Sequence, residues 1–236
     1  MKTFILLFTL SFSNLFANKY DCPSSRELRV GKKCYAQLHR LHPTQFAVGM
    51  FSVQQKLAEI KSIYVSGQFL DFLKKKVIPV WIGPDQRLYL LDRHHTTLAI
   101  SKLNIPKSEK RIIVEVVQDF SDLSRSQFYE KLEKVAYLSM TGRGRLPVED
   151  LPQSLDQLRN DPYRSLSTFA RESKCYKKVK VNYLEFIWAN YFYRQGVKLK
   201  PTSELVDYRK NLKFALTRCH IKEASNLPGF YIPKEN

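Results

Sequence analysis

The residues best suited to chemistry are Asp92, Arg93, His94 and His95, which bring an acid, a guanidinium and two imidazoles together in one short segment. An arginine beside histidines suits phosphate chemistry, because a guanidinium binds phosphoryl oxygens in a fixed geometry and an imidazole can exchange a proton near neutral pH. Simple charge attraction would need only lysine. The segment therefore predicts a site that binds phosphate.

The place of this segment in the chain favours the same function. It follows the apolar run Tyr89–Leu91, where a strand should end and a helix begin. A helix start offers unpaired backbone N–H groups and the positive end of the helix dipole, and both attract anions. Asp92 is the expected N-cap of a helix from Arg93 to Leu103. A surface helix cap with hydrophilic first-turn residues is the plainer alternative.

A phosphodiesterase mechanism gives each side chain a role. His94 is the expected general base for an attacking water, and Arg93 is expected to stabilise the charge on the phosphoryl oxygens. His95 points in another direction on a helix and is expected to bind the ligand or support the base. A divalent cation held by Asp92 and a histidine is compatible with nuclease chemistry, but three protein ligands are not evident, so the metal stays unassigned.

Phosphate or substrate contacts are expected from five polar side chains: Asp92, Thr96, Thr44, Gln45 and Arg164. Thr44 and Gln45 can donate hydrogen bonds to a phosphate or a sugar, although local hydrogen bonds within a loop are the structural alternative. Arg164 either reaches the same cleft or pairs internally. Asp161, three residues earlier, is expected to cap a helix.

Hydrophobic periodicity predicts the elements that position these residues. Short strands and helices alternate in the first half of the chain, and the part after Asp119 is helical. The predicted strands are Leu38–Pro43, Val77–Ile82, Arg87–Leu91 and Ile112–Val117, and the middle two form a hairpin. Besides the helix after Asp92, the predicted helices are Val53–Tyr64, Phe69–Leu73, Ser124–Ser139, 161–172, 182–195 and 203–222.

The N-terminus is typical of an export signal. Lys2 precedes the apolar run Phe4–Leu10, and Ala17 is the expected last residue removed. The run is shorter than the roughly 20 apolar residues of a membrane span, so cleavage is favoured over a retained anchor. No later segment is long and apolar enough to cross a bilayer. We therefore expect an exported protein, either periplasmic or secreted.

All four cysteines follow the expected cleavage point. An even number of cysteines in an exported chain favours disulfides, and we predict that Cys22 pairs with Cys34 and Cys175 with Cys219. Spacing does not fix this connectivity, and buried free thiols are the alternative. No two cysteines have the spacing of a zinc site.

The charge of the chain indicates an anionic partner. The formal net charge is +17, and removal of Lys2 with the signal leaves 17 − 1 = +16. Basic residues lie in several runs, including Lys74–Lys76 and Lys174–Lys180. Such a surface suits nucleic acid, acidic polysaccharide or the anionic face of a membrane. A high isoelectric point that is merely common among exported proteins is the plainer explanation.

Three sequence blocks resemble those of the ParB-like nuclease family, which has the ParB/sulfiredoxin fold and whose members are often exported bacterial proteins. They are LHPTQFAVGM (41–50), IPVWIGPDQRLYLLDRHHTTLAI (78–100), and NDPYRSLSTFAR (160–171) with LEFIWANYF (184–192). The resemblance implies an α+β fold in which a small mixed sheet with helices is followed by a helical C-terminal region. The expected divisions are a signal peptide (1–17), an N-terminal extension (18–36), a ParB/sulfiredoxin-like core (37–120) and a helical C-terminal region packed on the core (121–236).

In ParB proteins and sulfiredoxins the loop after the hairpin grips nucleotide phosphates, and the resemblance places Asp92, Arg93, His94 and His95 there. Sulfiredoxins need a cysteine in this loop, at the position where Arg93 stands here, so peroxiredoxin repair is not expected. Partition ParB proteins carry a glycine, an acid and paired arginines. Two histidines follow the arginine in this chain, so a nucleotide switch is not expected either.

Two functions of different classes follow from these observations. One is a nuclease, or another phosphodiester hydrolase, that acts on nucleic acid. The other is a non-catalytic envelope protein that binds nucleotides, nucleic acid or another polyanion with the same cleft and the basic surface. The histidines beside Arg93 favour the enzyme, but whether the protein is catalytic, which cation it uses and which protein partners it has stay open.

Overall fold

β-branched residues form the centre of the fold. The strand Arg111–Asp119 is nine residues long, and its alternate residues Ile112, Val114 and Val116 are almost fully buried on one face. Such side chains are restricted in helices and pack well on a pleated sheet, so this stretch forms a strand. The prediction of a strand here is confirmed, and the observed strand is longer at both ends.

The computed structural model describes residues 21–24 and 26–233, and the predicted signal peptide lies outside them. The strands are β1 (Lys33–Gln37), β2 (Leu41–Pro43), β3 (Ala47–Val48), β4 (Ile78–Ile82), β5 (Leu88–Leu90), β6 (Arg111–Asp119) and β7 (Arg159–Asn160). The helices are α1 (Met50–Val65), α2 (Phe69–Lys74), α3 (His94–Ser101), α4 (Arg125–Leu132), α5 (Pro162–Glu172), α6 (Leu184–Arg194) and α7 (Leu205–Thr217). Short 3-10 turns lie at Leu38–Arg40, Lys107–Glu109, Val148–Asp150, Leu155–Gln157 and Lys222–Ala224.

Five strands form one mixed sheet in the order β1-β6-β4-β5-β2. β6 pairs antiparallel with β1 and parallel with β4, while β5 pairs antiparallel with β4 and parallel with β2. β3 and β7 form a second, two-stranded parallel sheet. This mixed sheet with surrounding helices confirms the α+β class.

The parallel pairing of β2 with β5 positions the candidate site. Pro43 lies opposite Leu90 at the ends of the two strands. Because parallel strands end at the same edge of a sheet, the loop that starts at Thr44 and the loop that carries Asp92 leave the sheet side by side.

Three hydrophobic clusters hold the elements together. One lies between the main sheet and α1 to α3, a second joins α5, α6 and α7, and a third includes α4 and the loops beside it. In the second cluster Trp188 is fully buried and stacks on Tyr176 with 4.3 Å between ring centroids. The aromatic residues of α6 therefore contribute mainly to the core.

The predicted helix Ser124–Ser139 is wrong in its second half. Ser124 and Gln127 form a capping box at its start, but α4 ends at Leu132. Five residues later the backbone N–H of Tyr137 donates to the Thr44 carbonyl at 2.9 Å. Pairing with a loop that is distant in sequence therefore overrides the local helical pattern.

The first strand of the sheet was not predicted. β1 is a short KCYAQ segment that pairs along its whole length with β6. The predicted strand Leu38–Pro43 is confirmed only from Leu41, because a 3-10 turn precedes it.

Both predicted disulfides are confirmed. Cys22 is bonded to Cys34 and Cys175 to Cys219. Within the described residues no helix is long and apolar enough to span a bilayer.

Candidate functional site

The chain makes a left-handed turn just before α3. Arg93 has φ 62° and ψ 28°, and it is the N-cap of the helix, which begins at His94. The prediction that Asp92 caps a helix from Arg93 to Leu103 is therefore wrong. Asp92 Oδ1 accepts from the nearest N–H, that of Arg93, at 2.6 Å, instead of from an N–H in the first turn.

A left-handed arginine is strained, since this conformation costs a residue with a Cβ roughly 1–2 kcal/mol. Such residues cluster at functional sites, where the surrounding structure holds them in place. Here the turn starts the helix abruptly. None of the described residues accepts a hydrogen bond from the backbone N–H groups of His94, His95 or Thr96. The first turn of α3 therefore offers unused donors at the positive end of the helix dipole.

Both imidazoles form hydrogen bonds to the neighbouring loop, and each does so through its Nε2 atom. His94 Nε2 accepts from the N–H of Thr44 at 3.1 Å, and His95 Nε2 accepts from the N–H of Gly49 at 3.0 Å. A ring nitrogen that accepts carries no proton, so each neutral ring has its proton on Nδ1. The two histidines thus join the start of α3 to the loop between β2 and α1.

Burial keeps both histidines neutral. Only 4% of His94 is exposed, and desolvation lowers its pKa to about 3. The pKa of His95 lies well below its ordinary value, first because of desolvation and then because of the charge of Arg164. The assignment of His94 as general base stays a prediction, and in this geometry the lone pair that it needs is held by the Thr44 N–H.

The loop residues proposed as ligands face inward. Thr44 Oγ1 donates to the Leu90 carbonyl at 2.6 Å, and Gln45 Nε2 donates to the Ala47 carbonyl at 2.7 Å. Both residues are buried, as is Thr96. These contacts are the local hydrogen bonds of the structural alternative, and a phosphate-binding role for the three side chains stays a prediction.

Gly49 lets two helix starts approach each other closely. A Cβ on Gly49 would lie 2.5 Å from Ser165 Oγ and 2.6 Å from the Ser165 backbone nitrogen, so only glycine fits here. The start of α1 consequently packs on α5. The N–H of Ser52 contacts Ser165 Oγ at 3.4 Å, and that of Met50 donates to Asn160 Oδ1 at 3.1 Å.

Arg164 pairs internally. Its Nη1 donates to Thr168 Oγ1 at 2.6 Å, Nη2 lies 3.8 Å from Glu185 Oε2, and its guanidinium covers the ring of Phe186. Burial lowers its pKa. With its side chain 14% exposed, Arg164 mainly adds positive potential behind His95, and direct contact with a substrate stays a prediction.

Asp161 has the predicted capping role. Its Oδ1 accepts from the N–H groups of Tyr163 and Arg164 at the start of α5. Its Oδ2 accepts from the N–H of Thr141, which lies in the segment between α4 and β7. The carboxylate therefore fixes two segments and is fully used by the fold.

Tyr183 lies near the site but was not singled out from the sequence. It is a second left-handed N-cap, with φ 59° at the start of α6. Burial raises its pKa, and the charge of Asp92 adds to this effect. Tyr137 stacks on Phe186 beside it, with 3.9 Å between ring centroids. The many aromatic residues of the α6 segment could have indicated these ring contacts. Nothing in the sequence indicates the left-handed backbone of Tyr183.

The described residues contain no group of three histidine, cysteine, aspartate or glutamate side chains that could hold a metal ion. Asp92 is exposed, but the Nε2 atoms of both neighbouring histidines are occupied. A cation bound here would therefore depend on Asp92 and on oxygens of the ligand or of water.

Comparisons with known proteins agree with this fold. The family described as "Putative ParB-like nuclease" matches residues 34–194. A crystal structure of the protein Atu1540 from Agrobacterium tumefaciens is similar, with a TM-score of 0.72 and 29% sequence identity over 85% of this chain and 96% of that chain. No curated protein matches the chain.

Proposed function

Because the chain belongs to the ParB-like nuclease family, we propose that it is an exported protein that binds phosphate-containing ligands at the start of α3. Nucleic acid is the proposed ligand class, and phosphodiester hydrolysis is the proposed reaction. The observation that carries the proposal is the first turn of α3, where three backbone N–H groups without a partner among the described residues stand beside Arg93.

The bound phosphate would take its hydrogen bonds from the backbone. The N–H groups of His94, His95 and Thr96 converge on the space before the helix, and the guanidinium of Arg93 can reach phosphoryl oxygens there. The hydrogen bonds of the two imidazoles to the loop hold this turn rigid. Preorganised donors of this kind stabilise charge that develops on a phosphoryl group.

Hydrolysis requires one rearrangement in this site. For His94 to take a proton from the attacking water, its Nε2 must exchange the Thr44 N–H for that water. A base with a pKa of about 3 is also poorly matched to neutral pH. Opening of the Thr44 hydrogen bond, together with the negative charge of the ligand, would raise that pKa toward a useful range.

The same observation supports a second candidate function, a non-catalytic protein that binds nucleotides or another polyanion. With both imidazoles neutral and hydrogen-bonded, the turn is suited to hold a phosphate without acting on it. Export is proposed for either function. It is supported by the two disulfides, since these persist in oxidising compartments.

Binding and cleavage by matched arginine variants test the proposal. Arg93→Gly removes the guanidinium and suits the left-handed backbone, while Arg125→Ala removes an exposed arginine from the start of another helix, α4. We expect Arg93→Gly to weaken binding of single-stranded DNA or RNA about tenfold, the size of a lost hydrogen bond to a charged group. Arg125→Ala should bind as the unchanged protein does.

Cleavage separates the two candidate functions. Assays on single- and double-stranded DNA and RNA, with and without Mg²⁺, should show activity that is lost in both Arg93→Gly and His94→Gln if the protein is a nuclease. Binding without cleavage selects the non-catalytic function. Equal binding by Arg93→Gly and the unchanged protein would exclude the start of α3 as the phosphate site.

A further inference from the structure

The segment between α5 and α6 exposes aliphatic side chains among lysines. We call residues Lys174–Val181 the lysine–valine loop. Lys177, Lys178 and Lys180 are exposed, and so are Val179 at 37% and Val181 at 45%. Neither valine belongs to one of the three hydrophobic clusters, and the proposed phosphate site at α3 does not include them.

The lysine–valine loop is anchored at several points. Cys175 is bonded to Cys219, which follows α7. The N–H of Lys177 donates to the Gly229 carbonyl at 2.8 Å. A Cβ on Gly229 would lie 2.2 Å from the Lys177 carbonyl oxygen, and the φ of Gly229 is +82°, so glycine is required for this close approach. The loop is therefore presented in a defined position.

The C-terminal segment adds a third exposed aliphatic residue. Ile232 is 73% exposed. It follows Tyr231, whose ring lies 4.7 Å from Lys177 Nζ and 5.2 Å from the ring of His220. Tyr231 also donates from its hydroxyl to the Lys174 carbonyl. Ile232 thus belongs to the same surface as the lysine–valine loop.

Helix α7 ends next to this loop and carries further exposed cations. The Cys175–Cys219 disulfide brings the end of α7 next to the loop, with 5.2 Å between the two Cα atoms. Arg209, Lys210 and Lys213 are exposed on α7, beside Val206 at 67% exposure. Within residues 21–24 and 26–233, no cation of this helix face or of the loop forms a salt bridge.

We propose that the lysine–valine loop, Ile232 and the outer face of α7 together bind the surface of an anionic lipid bilayer. Unpaired lysines attract anionic headgroups, and valine and isoleucine side chains gain free energy by entering the interface. A nucleic-acid backbone would use the lysines but would leave the aliphatic side chains in water. The combination of both residue types therefore favours a membrane surface, which the protein contacts without crossing.

Co-sedimentation of the full chain after residue 17 with lipid vesicles tests this proposal. The probes are vesicles of phosphatidylcholine alone and of phosphatidylcholine with 30% phosphatidylglycerol. We expect binding to the anionic vesicles only, and weaker binding as salt is raised. Equal binding to both kinds of vesicle, or to neither, would overturn the proposal.

Two variants separate the charged from the aliphatic contribution. Lys178→Glu with Lys180→Glu should weaken binding to anionic vesicles at least about 25-fold, because each lysine near the surface contributes roughly fivefold and each added carboxylate is repelled. Val179→Ser, Val181→Ser and Ile232→Ser together should weaken it about tenfold through lost apolar contact. The serine variant should bind oligonucleotides as the unchanged protein does.

A matched control lies on α1 and α2. Val65 and Leu70 are 78% and 52% exposed, and Lys61 and Lys75 are exposed near them in sequence. The variant with both aliphatic residues changed to serine and both lysines to glutamate should retain most of its vesicle binding. An equal loss in this control, or a serine variant that binds vesicles normally, would contradict a specific membrane surface. Loss of nucleic-acid binding in the Lys178→Glu, Lys180→Glu variant, with its vesicle binding unchanged, would assign the surface to nucleic acid instead.

Discussion

The start of α3 and the lysine–valine loop both concentrate ionisable side chains, but the fold uses them in opposite ways. At α3 the imidazoles are buried, neutral and hydrogen-bonded to backbone N–H groups. In the lysine–valine loop Lys178 and Lys180 are exposed, with no salt bridge among the described residues. The first region fixes a backbone geometry, and the second presents charge to the solvent.

This difference shows that residue type alone does not predict a chemical role. A histidine whose acceptor nitrogen is occupied positions other groups, and the donors that face a ligand are then the backbone N–H groups of the same turn. A lysine without a partner keeps its charge available over a distance set by salt. Specific phosphate binding is therefore expected from the first region, and salt-dependent attraction from the second.

The largest expected effect comes from removing the disulfide that anchors the second region. Replacing Cys175 and Cys219 by serine removes a link that closes 44 residues of sequence separation. Such a loop contributes about 4 kcal/mol to the free energy of unfolding in the chain-entropy account. Urea denaturation should show this loss. The variant should also bind vesicles less well, because the loop is no longer anchored, while its phosphate binding at α3 should be retained. A loss of phosphate binding as well would mean that the two regions are coupled.

Removing one imidazole should destabilise the first region almost as much. His94→Ala leaves the Thr44 N–H buried without an acceptor and opens a cavity, at a cost of about 3 kcal/mol. Lys178→Ala, in the second region, should change the free energy of unfolding by less than about 0.5 kcal/mol. Similar values for both variants in urea denaturation would remove the contrast between the regions.

The pH dependence of stability should report the buried histidines. The pKa of His94 falls from an ordinary 6.5 to about 3 on folding, so only the unfolded chain binds a proton between these values. The contribution of the neutral His94 to the free energy of unfolding is therefore fully present above about pH 7. It falls as the pH is lowered, by about 2 kcal/mol at pH 5 for His94 alone. His95 adds to this in the same direction.

Urea midpoints at pH 7 and pH 5 measure this dependence. The decline should be shallower in His94→Gln, because one of the contributing imidazoles is missing. A protein that is equally stable at both pH values would contradict the burial of these rings as neutral groups.

The smallest expected effect is a gain in stability. Glycine adopts the left-handed conformation of Arg93 without the strain of a Cβ, so Arg93→Gly should raise the free energy of unfolding by up to about 1 kcal/mol. Its phosphate binding should nevertheless fall. Thermal denaturation measures the first effect, and Arg93→Ala, which keeps a Cβ, is the control that should not gain stability.

Several features of the fold could be predicted because their signals are local. The hairpin of β4 and β5 is indicated by a Gly-Pro-Asp-Gln turn between apolar runs, and Asp161 followed by Pro162 is typical of a helix start. The strand β6 follows from its β-branched residues. The disulfides follow from an even number of cysteines in a chain with an expected export signal.

The internal arrangement of the site could not be predicted in this way. His94 and His95 accept hydrogen bonds from N–H groups that lie 50 and 46 residues earlier in the sequence. Only the packed fold brings these donors and acceptors together. The left-handed turn at Arg93 also lacks a signal, since glycine or asparagine usually marks such a position. For the same reason the N-cap was assigned to Asp92, one residue too early.

The most direct test of the proposed phosphate site is a ¹H–¹⁵N NMR titration of the labelled protein with a short single-stranded oligonucleotide. We predict that the backbone amides of His94, His95 and Thr96 show the largest shift changes, and that Arg93→Gly needs about tenfold more oligonucleotide to reach the same changes. Shift changes confined to the lysine–valine loop and α7, with the three amides unaffected, would contradict a phosphate site at the start of α3.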